Sequence, residues 1–145
     1  MEPRRGVKPA EPVGPWSLPR KASFVVWCWL QVGLVSLTLR RKPLPEAVRH
    51  LGAPARPSGR PRLAPRRLGS MVGRAFLVGP YQPRCLLRAL VLFRELRRQG
   101  DPAELVIGLP RELVDKEAHA WVEIDGVDVG PPPGRGPHEP LARYA

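Results

Sequence analysis

The chain has 145 residues, 43% of them hydrophobic, and carries 20 prolines and a net charge of +11. That length suits one compact domain and leaves little for a second core. Such a field would attract nucleic acid, anionic lipid or an acidic peptide. No RNP-like motif, zinc spacing or helix-turn-helix pattern accompanies it, so no nucleic acid partner is expected.

The prolines gather in residues 1–20, 43–66 and 131–140, which read as extended or loop segments. Residues 1–20 are expected to be disordered or extended. Residues 22–39 (ASFVVWCWLQVGLVSLTL) then run without a charge between Arg20-Lys21 and Arg40-Arg41-Lys42. Their length is at the lower edge for a membrane span. Gln31, Ser23, Ser36 and Thr38 dilute the run, and cations at both ends give no orientation bias. Two readings stand: a buried core helix, which is preferred, and a span or membrane-surface helix.

The pattern predicts a helix over 22–42, ended by Pro43, and a short one over 46–51 with Pro45 at its start. Residues 52–65 (GAPARPSGRPRLAP) have no periodicity and read as a linker. A third helical stretch covers 67–77. The clearest helix is 85–99, apolar at 86, 87, 90, 91, 93 and 96, with Arg97 and Arg98 in its last turn and Gly100 as C-cap. Residues 103–109 (AELVIGL) read as a buried strand and 110–117 as a charged loop. A strand over 118–124, an Asp125-Gly126 turn and a return over 127–130 make a hairpin. Residues 131–145 are expected to be irregular. Helices first, then an antiparallel sheet, give an α+β layout.

Two cysteines cannot build a dense disulfide framework, and no cleavable signal pattern precedes them, so a reducing, cytoplasmic setting is expected. Cys85 falls at the start of the 85–99 helix, where unpaired N–H groups, the macrodipole and Arg84 or Arg88 would stabilise a thiolate. A lowered pKa is what a cysteine nucleophile needs. Cys28, between Trp27 and Trp29, reads as packing. His119 lies in AHAWVEI and could hold the thiol's proton across a helix–sheet contact. Its small neighbours Ala118 and Ala120 would leave room for a substrate chain, with Trp121 as a wall. His50 and His138 read as surface groups. For a group that orients His119, Glu123, Asp125 and Asp128 are open. The turn explains Asp125, Glu123 is roughly 13 Å along the strand from His119, and Asp128 could reach back from the partner strand. Gln82 could add a donor to an oxyanion hole. No metal or cofactor is expected.

CLLRALVL from Cys85, then Arg97–Gly100, AELVIG from Ala103, AHAWVE from Ala118 and Asp125-Gly126 together resemble the transglutaminase-like leader peptidase of lasso-peptide gene clusters. The likeness covers about residues 70–130, and residues 40–46 (RRKPLPE) resemble that family's helical preface. It implies a papain/transglutaminase-like core over 70–145, after a preface and linker over 21–69, with the cysteine-bearing helix packed on a small sheet. It also implies a cysteine peptidase that removes a leader peptide, with Cys85 as nucleophile and His119 as general base and acid. Implied partners are the precursor peptide, a small leader-recognition protein and a macrolactam cyclase. The family's acidic third member falls near Gly130-Pro131-Pro132-Pro133, where this chain has no carboxylate, so Asp128 stands in as the expected third residue. Without an acceptor, a non-catalytic partner of the leader or cyclase is the alternative. A basic membrane-associated adaptor, resting on residues 22–39, is another.

Overall fold

Proline shapes where the helices of this chain begin. The computed structural model describes residues 16–53, 62–110, 118–132, 134 and 137–145. The expected extended start before residue 16, most of the 52–65 linker and residues 111–117 of the charged loop lie outside them. Helices α1 (Leu18–Arg41), α2 (Leu44–Leu51) and α3 (Pro65–Ala75) each carry proline at the first or second position. Proline lacks only an N–H that the first turn leaves unpaired anyway. All three therefore start a few residues earlier than the apolar periodicity alone indicates. Helix α4 (Cys85–Arg98) ends in Arg97 and Arg98, before Gly100 at φ +95°, a conformation that glycine adopts without a Cβ penalty.

The uncharged run is a core helix on one side. Phe24, Cys28, Val32 and Val35 of α1 are buried in the same apolar cluster as Leu90, Phe93 and Leu96 of α4. Polar ties fix the pairing: Trp27 Nε1 donates to Glu95 Oε1 at 2.8 Å, and Arg94 donates to the buried Gln31. Cys28 is fully buried, as expected for packing. With 24 residues and a mean hydropathy of 1.7, α1 is also long and apolar enough to cross a membrane.

Strands β1 (Ala103–Pro110), β2 (His119–Ile124), β3 (Val127–Gly130) and β4 (His138–Tyr144) form an antiparallel sheet in the order β3-β2-β1-β4. The layout is α+β. Asp125 and Gly126, both at positive φ, make the β2–β3 turn, the geometry that a two-residue hairpin needs. Ala103, Leu105, Ala120 and Val122 join the helix-side core beneath α4. Helix α3 crosses β3 so closely that a Cβ on Gly69 would come 1.9 Å from the Val129 carbonyl oxygen.

The expectation of an irregular 131–145 tail is corrected by β4, which pairs with β1 along its outer edge. Pro137 and Pro140 hid it, because proline within a run argues against a strand except at a sheet edge. The β1–β4 ladder shifts between Ile107 and Gly108: Ala142 faces Ile107, Pro140 faces Gly108, and Leu141 is left without a partner in a bulge.

Candidate active site

Cys85 is the first residue of α4, and no side chain caps the turn before it. The first N–H groups of a helix have no partner within it, so the sulfur sits at the positive end of the α4 dipole. The α4 axis points this end at the start of β2, where Sγ lies 3.8 Å from the Ala118 carbonyl oxygen. A hydrogen bond to the His119 side chain is the main influence holding the Cys85 thiol below its ordinary value. Burial opposes this, while the Ala120 and Leu86 N–H groups and the His119 charge assist. Each assisting group stabilises the anion more than the neutral thiol. The half-buried sulfur remains a free thiol.

His119 opens β2 and pairs with Gly108 of β1. Alternation sends Ala120 and Val122 into the helix-side core and puts His119, Trp121 and Glu123 on the other face. The His119 ring stacks near Trp121, with centroids 6.1 Å apart. Its Nε2 is buried and has no hydrogen-bond partner among the described residues. The structure thus brings Cys85 and His119 together and leaves Nε2 of the ring without a hydrogen-bond partner among the described residues.

Asp128 is not brought to them. It faces Glu123 in the ladder, four residues along β2 from His119. Its Oδ1 accepts from the Gly130 N–H at 2.8 Å, and a Cβ on Gly134 would press against its Oδ2. Asp128 therefore serves the turn after β3. Pro131 and Pro132 follow, with Pro132 packed against Gly73 of α3. Asp125 lies in the hairpin turn, as its position in the sequence indicates. Gln82 is exposed ahead of α4, and His50 is exposed near the end of α2.

Two features escape the sequence reading. His138 is not a loop residue: β4 carries it to within 5.0 Å of the His119 ring, centroid to centroid, and 6.3 Å of Trp121. Glu123 is buried, accepting from Trp121 Nε1 at 2.8 Å and Arg143 at 2.6 Å. The Glu123 bond holds the Arg143 guanidinium even more firmly protonated than usual. The AHAWVEI alternation already puts Trp121 and Glu123 on one face. Nothing in the sequence foretells the approach of His138. Among the described residues, no group of three His, Cys, Asp or Glu side chains is arranged to hold a metal.

A nucleophile at a helix tip with an imidazole on the adjoining sheet is the arrangement of thiol peptidases and acyl transferases. The transglutaminase-like superfamily model matches residues 26–143. The chain belongs to that superfamily. The matched span of this transglutaminase-like protein starts within α1 and ends within β4, so it takes in the helices as well as the sheet. The superfamily commonly comprises cysteine peptidases and transglutaminases. No curated protein and no solved structure matches the chain.

Proposed function

We propose that this transglutaminase-like protein is a cysteine peptidase that removes the leader from a ribosomally made precursor peptide, as in lasso-peptide maturation. The observation that carries the reading is the Cys85–His119 contact at the helix tip, with the thiol held below its ordinary pKa. The Cys85 thiolate attacks the scissile carbonyl carbon, forming a C–S bond while the π electrons move onto oxygen. Backbone N–H groups at the start of α4 receive that oxyanion, with Gln82 as a further donor. The His119 imidazolium passes its proton to the leaving nitrogen as the C–N bond breaks. A water molecule, deprotonated by His119, then hydrolyses the thioester and restores the pair. A small leader-recognition protein delivers the substrate, and a separate macrolactam cyclase takes up the product. The basic surface gathers whichever of these is acidic. The cytoplasm is the setting in which a free Cys85 stays reduced.

The test is Cys85→Ala, assayed for leader removal with the recognition partner present. Cleavage should fall by at least about 10³-fold, as for removal of a nucleophile that acts as part of a unit. Unimpaired cleavage would reject the assignment.

Among the described residues Nε2 of His119 has no hydrogen-bond partner, which favours a second reading, a non-catalytic partner that binds leader or cyclase without cutting. Absence of an orienting carboxylate costs other triads about 10⁴-fold. An ordinary Cys85 thiol, titrating near about 8.5 and slow to alkylate, would support this reading over the first.

A further inference from the structure

Helix α1 shows the solvent a face that soluble domains seldom leave open. Opposite its core-facing side, Val26, Leu30, Leu34 and Leu37 are 59%, 63%, 38% and 45% exposed. Their spacing puts them on one stripe, roughly 17 Å long at the helical rise. No charged residue interrupts it, since residues 22–39 contain none, while Arg20 and Lys21 stand at one end and Arg40, Arg41 and Lys42 at the other. Beside the stripe, the loop after α3 exposes Leu77, Val78 and Tyr81. Trp29 fixes that loop to α1, donating to the Val78 carbonyl at 2.8 Å and meeting the Tyr81 ring edge-on at 5.2 Å.

We infer that this face docks on an anionic bilayer surface, with α1 lying in the plane of the membrane. Three observations favour that occupant over others. Cations at both ends of an apolar stripe match a plane of anionic headgroups. A second copy of the chain, in contrast, would set the basic ends of two helices against each other. Trp29 and Tyr81 combine an apolar body with a polar tip, the type of side chain that settles at headgroup level. The stripe itself is almost devoid of hydrogen-bonding groups, whereas protein interfaces need about one such bond per 100–200 Å². Spanning is ruled out by the other side of the same helix. Phe24, Cys28, Val32 and Val35 hold the core together, and Trp27 and Gln31 bind α4. The helix can therefore dip its outer stripe into lipid without leaving the domain.

Flotation of the full-length protein with phosphatidylcholine vesicles, with and without phosphatidylserine, tests the inference. The chain should float with the phosphatidylserine vesicles and stay behind with phosphatidylcholine alone. Leu30→Glu with Leu37→Glu should cut the bound fraction at least about tenfold, with unchanged circular dichroism and an unchanged Cys85 alkylation rate. Neutralising Arg40, Arg41 and Lys42 to glutamine should cost about fivefold per cation. No binding to phosphatidylserine vesicles overturns the inference. So does equal flotation of the glutamate variant, or a stripe that retains an acidic protein while vesicles stay unbound. None of these outcomes bears on whether Cys85 cleaves a peptide.

Discussion

Two polar side chains on β2, Glu123 and the half-buried His119, have opposite surroundings. Glu123, 1% exposed, receives hydrogen bonds from Trp121 and Arg143. His119, four residues earlier on the same face, presents a buried Nε2 that has no hydrogen-bond partner among the described residues. A buried polar group without a partner costs about 1–3 kcal/mol, so among the described residues this strand is satisfied at one end and unsatisfied at the other. The satisfied end belongs to the scaffold. Arg143 reaches from β4 across β1, bonding Glu123 and lying 3.5 Å from Glu104, so it ties three strands together. The unsatisfied end adjoins the thiol. Among the described residues, polar pairing ties the strands at one end, and the atom without a partner lies at the end beside the thiol.

The comparison breaks first at Glu123. Glu123→Ala leaves Trp121 Nε1 buried without an acceptor, and should cost about 3 kcal/mol in urea denaturation. A loss under 1 kcal/mol would show that the satisfied end is not structural. At the other end, His119→Ala should leave stability nearly unchanged but slow Cys85 alkylation at neutral pH by at least about tenfold. The sign follows from the lowered thiol. Its thiolate is present at pH values where an ordinary thiol is still protonated, so the alkylation midpoint of the parent lies below that of an ordinary thiol. Removing His119 takes away the main cause and moves the midpoint up. An unmoved midpoint would disconnect the imidazole from the sulfur. Trp121→Phe keeps an aromatic ring but loses the indole N–H bond to Glu123 and the volume of the second ring at a fully buried site, for an expected loss of about 2 kcal/mol. Smallest of all, His138→Ala on the sheet edge should change stability by less than about 0.5 kcal/mol. It should, however, shift the pH profile of Cys85 alkylation, which a purely structural role would leave in place.

Much of this was legible beforehand where local signals agree. The 85–99 periodicity and Gly100 give α4 and hence the position of Cys85 at a helix start. The AHAWVEI alternation and Asp125-Gly126 give the hairpin and the face that His119 shares with Trp121 and Glu123. The sequence is silent where register decides. Asp128 is close to His119 in sequence, yet the ladder sets it opposite Glu123 and its Oδ1 accepts from the Gly130 N–H. His138 lies between prolines in a segment that looks like coil, and only pairing with β1 makes it a strand residue. The core-helix reading of residues 22–39 accounts for the buried face of α1, whose other face is apolar and exposed.

The unpaired Leu141 has a bearing on the histidines. In regular alternation, Arg143 and His138 would point to opposite faces of the sheet, being five positions apart. One additional residue inverts every side chain beyond it. Arg143 faces Val106 and His138 faces Pro110, positions of the same parity on β1, so both end up on the side of Trp121. Without Leu141 the two residues would stand four positions apart, and a regular ladder would keep both on that side. The additional residue is thus what lets a five-position spacing set Arg143 against Glu123 and His138 beside His119.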